Sequence, residues 1–272
     1  VSDLLTLLLA PGAMCLVLAG IHTYLGLHVI AREVVFVDIA LAQISALGAT
    51  AAFLVGQAPD SWLSYAAGLG ATLVGALVLS LTRSRRRSVS QEAVIGVVYA
   101  VSAAASVLLL ADAPHGAEHL RTMLVGNVLT VGWSQVASVG ALYAAVGLLH
   151  WWCRRPFFLI SLDVDRAWRE GWRVRGWDFL FYATFGLVVT SSVRIAGVLL
   201  VFSYLIAPAL AAGLVGGPIG ARLATGWLFS GTLSVLGLAL SAALDLPTGA
   251  TVVCALGLGL LVVWPLARAG RR

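Results

Sequence analysis

CRRPFFLISLDVDRAWREGWRVRGWD, residues 153–178, is the one long hydrophilic stretch in a chain of 272 residues. It holds ten of the 29 charged side chains, six of them arginine, while the sequence on both sides is apolar enough to sit in lipid. A cationic, amphipathic island of this kind inside a polytopic membrane protein reads as a cytoplasmic handle. It offers something for a soluble partner on that side of the membrane to grip.

Composition sets the frame around the island. Sixty per cent of residues are hydrophobic and only 11% are charged, too little polar material to cover a soluble surface. The bilayer is therefore the expected solvent for much of the chain. A net charge of +5 raises nucleic acid as a partner, but the arginines fall at the ends of apolar runs, which argues against it. Cys15, Cys153 and Cys254 are odd in number and far apart, and they imply neither a disulfide framework nor a CxxC metal site. The first apolar run lacks a basic leader and reads as a retained span, not a signal peptide.

A crossing helix needs about 20 apolar residues. That rule marks nine segments: 4–29, 34–56, 61–82, 93–111, 134–152, 178–195, 197–215, 222–243 and 249–267. In this threading 15 of the 17 arginines fall on one side, leaving Arg121 opposite and Arg194 in or at the outer edge of a span. Because cytoplasmic loops collect basic residues, the N-terminus is expected outside and the C-terminus in the cytoplasm. Glycines inside the spans, as in residues 68–75 and Gly216-x-x-x-Gly220, predict close helix contacts. Pro208 predicts a kink in its span.

The phosphate loop G-x-x-x-x-G-K-[ST], the zinc motif H-E-x-x-H and the hydrolase elbow G-x-S-x-G are all missing from the sequence, so an enzyme is a poor reading. Asp163-Val-Asp-Arg-Ala-Trp-Arg-Glu-Gly171 predicts a short helix capped by Asp163, with its acids first as the helix dipole favours. It reads either as a solvated basic loop or as a coupling helix that fits a groove on an ATPase. Trp168, Trp172 and the ordered cap favour the coupling helix.

Five segments in order then resemble the integral membrane permeases of zinc and manganese ABC importers. FVDIALAQISALGATAAFLVG (36–56) is similar to that family's second-span signature and LVGNVLTVGWSQV (124–136) to its Gly-Asn-Ile-Leu segment. SLDVDRAWREG (161–171) stands where the family has its coupling region. VTSSVRIAGVLLVFSYLIAPALAA (189–212) and LDLPTGATVV (244–253) resemble two further family segments. The resemblance implies a homodimer of all-helical permease domains, each spanning residues 1–272. It also implies two cytoplasmic ATPase subunits docked on residues 161–175, an extracytoplasmic metal-binding protein, and a bacterial cytoplasmic membrane. A divalent cation, zinc or manganese, would be cargo, with no permanently bound cofactor. The ATPase-coupling residues carried over are Asp163, Asp165, Arg166, Trp168, Arg169, Glu170 and Gly171.

The metal site departs from the family pattern. Ile39 stands where the family's Asp is usual, Gln43 replaces its His and Leu47 its Pro, while an acid sits one position earlier at Asp38. Asp38 and Ser45 are seven apart, hence nearly on one helix face, with Ala42 between them and Gln43 off that stripe. Asp38, Ser45 and Gln43 are the candidate metal contacts in the span. The alternative for Asp38 is an acid near the inner mouth paired with Arg32 or another basic group. A second candidate site is the outer loop, where His115 and His119 share a helical face and Glu118 adjoins them. The alternative there is a hydrated loop. His22 and His28 read as packing residues, and His150, beside two tryptophans, as an interfacial anchor. Three rival readings remain: an ABC permease for an iron chelate or cobalamin, an ion-coupled secondary carrier, and a structural or assembly factor with no transport.

Overall fold

The computed structural model describes residues 2–58, 61–83, 90–111, 126 and 128–269, with side chains from Leu8 to Ala267. Its helices are α1 (Ser2–Ala31), α2 (Val37–Leu54), α3 (Trp62–Leu81), α4 (Gln91–Leu110), α5 (Trp133–Trp152), α6 (Arg154–Leu162), α7 (Val164–Arg169), α8 (Val174–Val215), α9 (Ile219–Leu244) and α10 (Thr248–Ala269). A 3-10 turn, Val128–Thr130, precedes α5, and there is no strand among the described residues. The proposed loop site at His115, Glu118 and His119 lies outside the described residues.

Each of the nine expected spans falls on a helix. Seven helices are long and apolar enough to cross a membrane, and α5 with α6, bent by 76° at their junction, makes an eighth. Two expected spans, 178–195 and 197–215, share the 42-residue α8, which at 1.5 Å per residue is about 63 Å long. One crossing of hydrocarbon needs only about half of that. Gly197 breaks the helix with φ 75° and ψ 162°, a conformation that residues bearing a Cβ avoid. The backbone of Ala196 and Gly197 is also the ground on which Gly126 packs, and a Cβ at Gly126 would run into it. Pro208 lies inside α8, and the non-helical dihedrals sit eleven residues earlier, at Gly197. The break at Gly197 is the division between the two expected spans.

The chain divides into two compact units. One comprises residues 31–123 and 148–193; the other comprises 1–30, 124–147 and 194–272. In the first, α2 packs on α3 and α4. The α2–α3 crossing is close because Gly48 and Gly68 leave no room for a side chain: a Cβ at Gly68 would press on Ser45, and one at Gly48 on Ala67. The expected seam at 68–75 is thus present. Thr72 and Thr190 share a buried hydrogen bond of 3.1 Å that ties α3 to α8. In the second unit α9 packs on α10, with Gly237 against Val252. Tyr204 and Ser234 hydroxyls meet at 2.7 Å, and the Trp227 indole donates to the Gly20 carbonyl at 2.9 Å. Gly216-x-x-x-Gly220 is not a packing seam. Gly216 ends α8 in a left-handed conformation and Gly220 faces open space.

Candidate functional site

The island folds into two short helices. α6 begins at the bend after α5, and α7 starts at Asp163, whose carboxylate accepts the Arg166 backbone N–H at 2.9 Å as the sequence predicts. α7 and the turn after it rest on a small core of Ile160, Ala167 and Val174, with Trp168, Trp172 and Trp177 packed around it. Trp168 and Trp172 are half-buried, so much of their area is spent inside the island and not on an outward face. Asp163, Asp165, Arg166, Arg169, Glu170 and Gly171 are the exposed coupling candidates. Arg166 binds Glu170 at 2.7 Å, which holds the Glu170 carboxyl below its ordinary range and lifts the Arg166 guanidinium above its own. Gly171 takes φ 77°, which lets the chain turn back to place Trp172 against the core.

Beneath the island lies a buried ion network that inspection of sequence spacing does not reveal. Arg32, one residue past α1, donates Nη1–H to Asp178 Oδ1 at 2.6 Å, and neither side chain is accessible. Its Nε–H donates to the Ser161 hydroxyl at 2.8 Å, and its guanidinium carbon lies 3.8 Å from the centre of the Phe181 ring. Arg83 approaches the second Asp178 oxygen at 3.5 Å. Beside this network a cleft of about 430 Å³ is lined by Glu33, Gln91, Glu92, Asp163, Asp165 and Trp168 together with both arginines.

Asp38 stands apart from these charges. It is 2% exposed, in the first turn of α2, and its Oδ1 accepts the Ile39 N–H at 2.7 Å. Since Arg32 is committed to Asp178, the alternative pairing of Asp38 with Arg32 is not what the fold makes, and no cation lies at ion-pair distance from Asp38 among the described residues. Another acid borders this turn: Glu92, at the start of α4, accepts the Phe36 N–H at 3.1 Å. As expected, Asp38, Ala42 and Ser45 are all buried, while Gln43 is half-buried and off the stripe. Ser45, however, is engaged at the Gly68 crossing of α3. Among the described residues no three His, Cys, Asp or Glu side chains gather as a metal cluster. His150 is not an interfacial anchor: it is fully buried, bonded to Thr184 at 2.8 Å and packed 4.5 Å from the Phe157 ring. His22 is also buried, 2.7 Å from the Leu18 carbonyl, which fits its reading as a packing residue.

Long apolar helices and an ordered, charged island define a multi-pass membrane protein. Comparison with known proteins narrows that class. The model of the ABC 3 transport family matches residues 6–266, and the chain belongs to that family. It is 28% identical to the manganese transport system membrane protein MntB of Synechocystis, over 68% of this chain and 59% of that one. It is 25% identical to MntC of Listeria monocytogenes, over 72% and 71%. A metal transport system membrane protein of Chlamydia trachomatis is 26% identical over 53% of this chain, and the match spans only 33% of that longer protein. Among solved structures, PsaBC from Streptococcus pneumoniae in complex with Fab shares the fold, with TM-score 0.77, 20% identity, and 95% and 91% coverage.

Proposed function

We propose that this chain is the permease subunit of an ATP-driven importer that carries a divalent metal cation, manganese or zinc, into the cytoplasm. Energy comes from a separate ATPase subunit that grips the exposed face of α7, namely Asp165, Arg166, Arg169 and Glu170. Two copies form the membrane part in a bacterial cytoplasmic membrane, with N-termini outside and C-termini inside, and an extracytoplasmic binding protein delivers the ion. The observation that carries the reading is the island's construction: a capped helix on its own small core, inside a chain of the ABC 3 transport family. A merely solvated loop has no need of that core. Manganese is favoured by the names of the relatives MntB and MntC. Asp38 is the cation contact within the span, because a carboxylate buried with no cation beside it among the described residues is costly unless something positive visits it.

The reading is tested with proteoliposomes that hold the chain and its cognate ATPase, assayed for zinc, manganese and ferrous iron influx. ATP-dependent uptake of manganese or zinc that drops in Asp38→Ala is the expected result. Uptake of an iron chelate or cobalamin, unaffected by Asp38→Ala, would favour the first rival. Uptake driven by a proton or sodium gradient without ATPase would favour the second.

A further inference from the structure

The Arg32–Asp178 pair is placed where a mechanical link is wanted. Its four contributors all lie in one unit: Arg32 just past the end of α1, Arg83 just past the end of α3, Ser161 on α6 and Asp178 in the first turns of α8. The partners of Arg32 are 129 and 146 residues away in sequence, so nothing local requires the contact. Ser161 lies two residues before the α7 cap, so a displacement of α7 reaches the guanidinium within a few bonds. The stack on Phe181 and the bond to Asp178 then fix that guanidinium to α8. Both α1 and α8 run on into the other unit, with the divisions at Ile30/Ala31 and Val193/Arg194.

A buried ion pair is a weak way to gain stability, since an apolar pair of like volume often does as well or better. What it supplies is directional geometry: hydrogen bonds of defined angle that hold several elements in one arrangement.

We infer that Arg32, with Asp178 and Ser161, is a positioning clamp that delivers displacement of α7 to α1 and α8, so that ATP hydrolysis in the partner is converted into cation movement. The inference rests on the ATP-driven reading above. The clamp binds neither cation nor nucleotide; it acts through the helices that it joins. Its loss leaves hydrolysis running and transport idle.

The test is made in proteoliposomes with the cognate ATPase, measuring manganese taken up per ATP hydrolysed and the melting temperature of the detergent-solubilised complex. Arg32→Met with Asp178→Leu replaces the pair by apolar side chains of similar bulk, a change expected to preserve folding. Uptake per ATP should fall about tenfold, the size of a typical coupling between sites, at an unchanged melting temperature. Arg32→Lys, which keeps the charge pair and loses the fork, should recover part of the ratio. A ratio equal to wild type in the double variant overturns the clamp. Should the double variant not assemble, Ser161→Ala and Ser161→Thr decide: the alanine form lowers the ratio and the threonine form restores it, whereas an unchanged ratio in Ser161→Ala overturns the inference. Wild type in the same vesicles separates the two claims. Absence of ATP-driven uptake there defeats the functional reading, while normal coupling in both wild type and variants defeats the clamp alone.

Discussion

Asp178 and Asp38 are both withdrawn from solvent, in the first turns of two helices of the same unit, yet their surroundings are opposite. Asp178 has a guanidinium at 2.6 Å and a second at 3.5 Å. Asp38 has one backbone N–H and, on the neighbouring helix, another acid in Glu92. Isolating a carboxylate in a low-dielectric setting costs several kcal/mol, and a partner is what offsets it. The paired acid therefore belongs to the architecture. Under the proposed reading the cation would be the partner that Asp38 lacks among the described residues, present only during passage.

This contrast is broken or sharpened by four changes. Asp178→Ala leaves the Arg32 guanidinium buried without its carboxylate, and should cost about 3–5 kcal/mol, read as a large fall in melting temperature of the solubilised protein. Asp38→Asn should do the reverse. Stability stays within about 1 kcal/mol of wild type, because the amide has the size of the acid and brings no charge into the buried site, while cation uptake is lost. Equal destabilisation by the two substitutions would erase the distinction. Asp163→Ala removes the α7 cap, worth about 1 kcal/mol, and should speed hydrogen exchange at the Arg166 amide severalfold while the spans remain unaffected. The smallest effect concerns Glu170. Its carboxyl is held below the usual 4.5 by the bond to Arg166, so the contribution of that pair is fully present above this value and disappears as pH falls through the lowered one. Protection factors in α7, with the intrinsic pH dependence of exchange divided out, should thus be flat from pH 6 to 8 and fall only in acid, modestly, because the pair is exposed.

How much of this could be read beforehand follows from what each feature depends on. Spans depend on local composition, so all nine segments found their helices, and the division of α8 near residue 196 coincides with Gly197. The α7 cap is a three-residue interaction and was equally legible. The Arg32–Asp178 bridge joins residues 146 apart, and nothing in the local sequence pairs them. The same limit applies to His150, whose tryptophan neighbours argued for an interface while Thr184 and Phe157 hold it inside. Trp168 and Trp172 illustrate a subtler limit. Their presence did signal an ordered island, but spacing alone could not tell whether they face a partner or the island's own core.

The central claim is that a separate nucleotide-hydrolysing subunit drives the cation through this chain, gripping it at α7. It is tested most directly by following manganese influx into proteoliposomes that hold the chain with its ATPase, either intact or disabled in its catalytic glutamate. Influx that requires the hydrolysing subunit and disappears in Arg169→Glu is the predicted result. Influx that persists at the same rate with the disabled subunit would contradict it.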